Sequence, residues 1–520
     1  MQPRPRQRLT CDRSHLFHAA NPTLPESGMD WFTTMAASMS RRPHPTSDAG
    51  PERERQPQEE CAVTDRRDRS RDRHILMITN HGVHQWDVVP GLPDTGGQNV
   101  YVNQFTEALI ELGYRVTIVN RGGYPHPVTG AAQTGVVSHP SGKARILYLE
   151  DGTPAFVRKE DMDEHVPLLA ADLHHKLADE GADYDLIISH YWDAAKIGVA
   201  LNELAHSEAP HVWVPHSLGA LKKRNTDPAT WVDLRIDERI AHERAVLDRI
   251  DGAVATSSAI RDTFVDDYGY RPRYFLPPCV DPVRYHPRSH DDCAAIWDFL
   301  AEQSPYTASE LRMRKIVLEI SRTDRTKRKD VLVRAYAQVR QRIPGALLVV
   351  ALDDRGGEPY AEAVALIRQL GLERDVITLG SVWEQLPCLY AAAAVYCTPS
   401  VMEGFGMSAQ EAAATGVPVI ASDLVPFAAE YLLGPAAKQL DGESGRDLLA
   451  GDAAIVVPAD DVDGFARALT LLLRDDALRA QMGRRALEIT IPYFTWAHRT
   501  RDLLGDLGLG VDTETDAGAS

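Results

Sequence analysis

The chain has 520 residues, with 56 Lys+Arg against 74 Asp+Glu, a formal net charge of −18, 44% hydrophobic and 25% charged residues. That length is ample for two or more domains with large cores. The acidic balance argues against nucleic acid or an anionic membrane as partner, since both need clustered Lys and Arg, and the chain has no apolar run long enough to span a bilayer.

Six cysteines (Cys11, Cys61, Cys279, Cys293, Cys388 and Cys397) are scattered without Cys-x-x-Cys or metal-ligand spacing, which points to a reducing, cytoplasmic setting and to no metal site. Only ten residues are lysine, so a lysine inside a motif carries more information than usual.

Residues 1–72 are rich in Pro, Ser, Gln and Arg and sustain no apolar periodicity, so disorder is expected there. Met29, Met35 and Met39 leave open a start further along. His74–Thr79 reads as a buried parallel strand, followed by a helix over Gln98–Leu112 with its apolar stripe on Val102, Phe105, Leu109 and Leu112. Further strands are expected at Val116–Val119, Leu186–Ile188, Val212–Val214 and Ala253–Ala255. A second series follows at Ile316–Ile320, Leu347–Ala351, Val376–Leu379, Val395–Cys397, Val417–Ile420 and Ile455–Val457. Strands alternating with helices mean parallel sheets covered on both faces. The fold class is therefore α/β, with two facing Rossmann-like doubly wound domains and a cleft between them. The domains are expected at 73–290 and 313–490, with a linker at 291–312, a C-terminal helix at 491–507 and a short tail at 508–520.

Three segments at strand ends could carry chemistry. Asp94-Thr-Gly-Gly-Gln-Asn-Val-Tyr101 lies between the first strand and its helix; it is either a tight turn or a place where backbone meets an anion at a helix start. It is neither G-x-G-x-x-G nor a Walker loop, which leaves dehydrogenase and P-loop readings poorly supported. Arg322 and Lys327 follow the strand Ile316–Ile320 and suit a pyrophosphate, as a planar fork and a point charge, or else form a solvated basic turn. Glu403-Gly-Phe-Gly-Met-Ser-Ala-Gln-Glu411 again opens a helix. There Ser408 and Glu411 fit a capping box as well as a ligand site. Asp161-Met-Asp163 and Asp461-Val-Asp463 have the Asp-x-Asp spacing of a metal-dependent glycosyltransferase, but both stand at expected helix starts, where acids are common anyway.

The Arg322–Lys327 and Glu403–Glu411 segments together, with the Glu-x7-Glu spacing, resemble retaining nucleotide-sugar glycosyltransferases of the GT-B fold over about residues 73–500. Leu92-Pro-Asp-Thr-Gly-Gly-Gln98 is close to the loop of sucrose-phosphate synthases. Gly-Gly-x-Asn-Val-Tyr is close to that of the inositol-phosphate N-acetylglucosaminyltransferase of mycothiol synthesis. His190-Tyr-Trp192, His216–Lys222 and Arg239-Ile-Ala-His-Glu243 also match.

The resemblance implies a hexosyl transfer, with retention, from a UDP-, ADP- or GDP-hexose to a phosphorylated acceptor, with no tightly bound cofactor. By that resemblance Arg322 and Lys327 bind the donor pyrophosphate, which the Gly97 backbone approaches from the other domain. Glu403 holds hydroxyls of the donor sugar beside the amides of Phe405, Gly406 and Met407, Glu411 accepts the ribose hydroxyls, and His216 lies near the reacting sugar. Lys159, Lys222 and Arg239 bind the acceptor phosphate, with Gln98, Tyr191 and Ser217 as polar partners. A sugar phosphate is the expected acceptor, with inositol phosphate as the alternative; a non-catalytic nucleotide-sugar-binding relative is a further one. The oligomeric state is left open. The chain departs from the family at Cys279, where glycine is usual, and at Asp423–Phe427, which lacks the usual Gly-Gly before a longer segment reaching Asp452.

Overall fold

The computed structural model describes residues 73–510 except 89–91, 93, 354–356, 381 and 441–447; the expected N-terminal tail and most of the C-terminal one lie outside the described residues. The first sheet contains β1 (His74–Ile78), β2 (Arg115–Arg121), β3 (Val136–Ser138), β4 (Ala144–Leu149), β5 (Leu186–His190), β6 (His211–Val214), β7 (Gly252–Ala255) and β8 (Tyr274–Phe275), in the order β3-β4-β2-β1-β5-β6-β7-β8. The second contains β9 (Lys315–Glu319), β10 (Ala346–Ala351), β11 (Val376–Leu379), β12 (Val395–Thr398), β13 (Val419–Ser422), β14 (Lys438–Leu440), β15 (Leu448–Ala450) and β16 (Ala454–Val457), in the order β11-β10-β9-β12-β13-β16-β15-β14.

The central strands are runs such as Ala346-Leu-Leu-Val-Val-Ala351, buried along their whole length. A strand covered by helices on both faces needs apolar side chains at every position, not at alternate ones. Each sheet accordingly has a hydrophobic cluster on either side: Ile75, Met77 and Ile118 face one way in the first sheet while Leu76, Ile78 and Val119 face the other. The second sheet divides in the same manner, with Leu318 and Val349 on one face and Val317 and Val350 on the other.

The structure departs from the sequence expectation in several places. The sheets are not purely parallel: β3 pairs antiparallel with β4, and β14, β15 and β16 pair antiparallel in turn. The antiparallel strands β14 and β15 lie within the longer segment before Asp452. The stretch 291–312, expected as a linker, forms the helices Ala294–Glu302 and Ala308–Arg312, whose Ile296, Trp297, Leu300 and Leu311 are buried in the core of the second sheet. Cys293 and Cys388 are joined as a disulfide that ties this helical stretch to the helix Leu386–Ala392, against the expectation of cysteines in a reducing setting; Cys279 and Cys397 are buried free thiols.

The C-terminal helix Trp496–Asp506 returns to the first domain. Its Trp496 ring sits 4.7 Å from Tyr101 and 5.7 Å from Phe105, and its indole N–H donates to Gln104 at 2.9 Å. Leu509, in the expected tail, accepts at its carbonyl from Arg73 at 2.7 Å.

In the parallel part of each sheet, β4-β2-β1-β5-β6-β7-β8 and β11-β10-β9-β12-β13-β16, the strand order reverses direction once, between β1 and β5 and between β9 and β12. Loops leaving the carboxyl ends of strands on either side of such a reversal diverge and leave a crevice, where ligands of doubly wound sheets bind. The segments after β1, β5, β9 and β12 contain most of the residues singled out from the sequence.

Candidate active site

The two crevices open toward each other. A side-chain carbon on Gly97, the first residue of the helix Gly97–Glu111, would lie 3.8 Å from Sδ of Met407. One on Gly404 would lie 3.7 Å from the carbonyl oxygen of His216. Ser258 donates across the same gap to Glu430. Larger residues at 97 or 404 would therefore narrow the space between the domains.

On the second-domain side, Lys327 closes a single 3-10 turn, Arg325–Lys327, after β9. Its ammonium donates to Glu403 Oε1 at 2.6 Å; the two side chains are 9% and 16% exposed, so the pair is largely withdrawn from water. Lys329, two residues on, donates at 2.5 Å to the fully buried Glu319. Arg322 is not part of this cluster: its side chain is 82% exposed and its nearest carboxylate is Asp324, at 3.7 Å.

The helix Met407–Ala414 begins after Gly406, whose φ of +108° belongs to glycine, and a side-chain carbon there would lie 2.6 Å from Val425. Phe405 is turned into an aromatic cluster with Phe427, Tyr431 and Phe494 at 5.5–6.0 Å, which anchors the loop. With Phe405 inward, the backbone amides at the helix start are left to serve an anion, since the first turn's N–H groups have no intrahelical acceptors.

The capping-box reading of Ser408 and Glu411 gives way here, because Gly406 is the cap and Ser408 receives the hydroxyl of Tyr396 at 2.6 Å. Glu411 is the acceptor for the hydroxyl of Tyr390 at 2.8 Å. Burial pushes its pKa up to about 7, against the pull of hydrogen bonds from Tyr390 and Tyr285.

On the first-domain side, Lys159, Lys222, Arg239 and Tyr191 line one pocket together with Glu160 and His242. Arg239 lies on the helix Ile236–Leu247 and is buried. It donates to Glu243 at 2.8 Å, to the Tyr191 hydroxyl and to the Ser217 carbonyl, and its guanidinium stands 4.4 Å over the Tyr191 ring. Glu243 in turn accepts from the Gly219 amide at 2.9 Å and from Tyr268.

Lys159 pairs with Asp94 and approaches Glu160 at 3.2 Å, while Lys222 lies 3.9 Å from the same Glu160. Each cation of the pocket thus already has a carboxylate neighbour, so the site is a balanced charge cluster. Lys222 is the least compensated. Burial, with Arg239 and Lys159 nearby, lowers its pKa to about 8. Gln98, expected among the acceptor contacts, does not line this pocket and donates to Thr79 at 3.1 Å.

His216 follows β6 in a left-handed backbone conformation, φ +55°. Burial, with His81 adding to it, lowers its pKa to about 3, so the ring is neutral near pH 7. It meets the Tyr101 ring edge-on at 4.8 Å and His190 at 2.9 Å between ring nitrogens. His190, Glu243, Tyr285 and Tyr390 were not singled out as functional from the sequence. The first two were within quoted motifs, and an Arg–Glu pair spaced i, i+4 on a helix was the available signal for Glu243. The two tyrosines reach Glu411 from distant segments and left no local signal. Among the described residues no group of three or more His, Cys, Asp or Glu side chains is arranged to hold a metal.

Comparison with known proteins fits this architecture. Residues 308–488 match the model described as glycosyl transferases group 1, and residues 95–284 the one described as glycosyltransferase family 4. The chain is 27% identical over 448 residues to mannosylfructose-phosphate synthase of Agrobacterium fabrum, covering 83% of this chain and 90% of that protein. It is 30% identical over 447 residues to D-inositol 3-phosphate glycosyltransferase of Salinispora tropica, covering 84% and 85%. Its fold superposes on sucrose-phosphate synthase of Thermosynechococcus elongatus with a TM-score of 0.67 and 25% identity, covering 84% of this chain and 98% of that one. With both halves of the chain matched and the two crevices opposed, the protein is a glycosyltransferase of the GT-B fold and belongs to the group 1 glycosyltransferases.

Proposed function

We propose that the protein transfers a hexosyl group from a nucleotide sugar to a phosphorylated acceptor, with a sugar phosphate as the acceptor and retention of the donor's α configuration. The observation that carries the acceptor class is the convergence of Lys159, Lys222 and Arg239 on one pocket of the first domain. Relatives named for a mannosylfructose phosphate and an inositol 3-phosphate reaction support a phosphorylated acceptor, and the latter name favours inositol phosphate as the second reading.

In this reading the donor pyrophosphate lies against Lys327 and the amides of Gly406 and Met407, with Arg322 closing over it from the exposed loop. Glu403 receives hydroxyls of the sugar and Glu411 those of the ribose. Breaking the anomeric C–O bond leaves negative charge on the departing phosphate oxygen. Preorganised cations and amides aimed at that oxygen stabilise it most in the transition state. The acceptor hydroxyl attacks from the face the leaving group vacates, and its proton passes to the departing phosphate oxygen, so no protein base is needed. The closely approached Gly97–Met407 and Gly404–His216 surfaces exclude the water that would otherwise hydrolyse the donor.

The reaction is assigned to the cytoplasm, the compartment that supplies such metabolites; the Cys293–Cys388 disulfide is the observation that weighs against that location. Retention is tested by NMR of the product anomer: an α linkage is expected from an α donor, and a β linkage contradicts it.

A further inference from the structure

His190 ends β5 and stands opposite Val214, the last residue of β6, so the parallel pairing brings its ring to that of His216 just beyond the strand ends. Nδ1 of His190 lies 2.9 Å from Nε2 of His216, and the ring planes differ by 25°. Burial depresses the pKa of both rings, so both are neutral at physiological pH.

Two neutral imidazoles sharing one contact must divide the roles: the N–H of one donates and the bare nitrogen of the other accepts. The remaining nitrogen of His190 decides which is which. Its Nε2 is buried without a hydrogen-bond partner, beside the ring of Tyr101. Were His190 to accept at Nδ1, its proton would sit on Nε2 as a buried N–H with nothing to receive it. Orphaned buried N–H groups are rarer in folded proteins than unfilled acceptor sites. The proton therefore sits on Nδ1 of His190 and is donated to Nε2 of His216. His216 must then carry its own proton on Nδ1, a nitrogen that no hydrogen bond among the described residues engages.

We propose that His190 is a positioning residue that fixes the tautomer of His216, so that a neutral Nδ1–H is available to donate to an oxygen of the bound donor sugar. The proposal rests on the placement of His216 beside the donor sugar. It extends that placement from a residue in the cleft to a defined hydrogen-bond donor, and it accounts for a fully buried histidine at 190 whose one hydrogen bond among the described residues is to His216.

The test joins ¹⁵N NMR of the full chain labelled in its histidine rings, with His216 assigned through His216→Asn, to steady-state kinetics of His190→Phe and His190→Asn. In the wild type, His216 is expected to show a protonated Nδ1 and a bare Nε2. His190→Phe should release that tautomer and lower kcat about tenfold or more, with the donor KM little changed, as for loss of one aimed donor. His190→Asn, whose side-chain N–H can replace that of Nδ1, should restore most of the rate. Finding His216 protonated on Nε2 in the wild type overturns the proposal without any variant. So does an unchanged kcat in His190→Phe once its His216 tautomer has shifted. Failure of the wild type to turn over any nucleotide sugar would instead sink the glycosyl-transfer reading, and the tautomer could still be read.

Discussion

The ammonium of Lys327 lies 2.6 Å from Oε1 of Glu403, so the side chains assigned to the two halves of the donor are hydrogen-bonded to each other across the crevice between β9 and β12. In the proposed reading the lysine holds the carboxylate in place for the sugar, and the carboxylate keeps the lysine at the phosphate end. A charge-assisted hydrogen bond of this kind contributes about 1.5–3 kcal/mol. Lys327→Ala and Glu403→Gln should each lower kcat/KM for the donor by about 10- to 100-fold or more. The double variant should lose much less than the product of the two, because each single change already breaks the shared contact. A double-mutant cycle of kcat/KM measures this; strict additivity would mean that the two side chains act independently.

Glu411 gives a pH prediction of definite sign. Its pKa is raised from the ordinary 4.5 to about 7 by burial, so the folded state holds a proton that the unfolded chain has released. The site therefore costs stability increasingly as pH rises from about 4.5 to about 7, and the cost is relieved on acidification. Glu411→Gln should raise Tm relative to the wild type at pH 8 and leave it nearly unchanged at pH 4. If the carboxylate accepts the ribose hydroxyls, the wild-type donor KM should also climb as pH falls below 7. Tyr390→Phe removes a hydrogen bond that lowers this pKa and should move the climb to higher pH.

The pocket proposed for the acceptor phosphate predicts an alkaline limb. Lys222, with its pKa lowered to about 8, loses its charge as pH passes that value, so kcat/KM for the acceptor should decline above it. Lys222→Ala should remove this limb and raise the acceptor KM by about tenfold or more, with the donor KM little changed. Arg239→Ala is a poorer probe, since it strands the buried Glu243 and should cost stability by about 3–5 kcal/mol in addition.

The disulfide links residues 95 apart in sequence. Closing a loop of that length restricts the unfolded chain, and Cys388→Ser should lower the unfolding free energy by about 2–4 kcal/mol. Denaturant melts with and without a reductant check this: the wild type should respond to the reductant and the variant should not.

The strand–helix rhythm was legible because runs such as Leu347–Ala351 are apolar at every position and are bounded by helices with their own periodicity. The short antiparallel strands were not, since Val136–Ser138 is exposed throughout and carries no burial pattern. Linear order placed Lys327 and Glu403 after strand ends, and the family resemblance singled out Lys159 and Arg239; the Lys327–Glu403 and Lys159–Asp94 pairings depend on which strands lie side by side, whereas Arg239–Glu243 is an i, i+4 pair on one helix. Arg322 and Lys327 looked equivalent in sequence; a single 3-10 turn buries one and leaves the other in solvent. The disulfide was hidden for the same reason, because Cys293 and Cys388 are neighbours only after the helix Ala294–Glu302 packs against the second core.

The most direct test of the central claim sets UDP-, ADP- and GDP-hexoses against fructose 6-phosphate, inositol phosphate and phosphoglycerate, with fructose and inositol as unphosphorylated controls. Transfer should occur from at least one donor, with kcat/KM for a phosphorylated acceptor exceeding that for its unphosphorylated counterpart by about 100-fold or more, as two or three charge-assisted contacts to a phosphate imply. Equal rates with and without the phosphate, or no transfer from any of the three donors, would contradict the account.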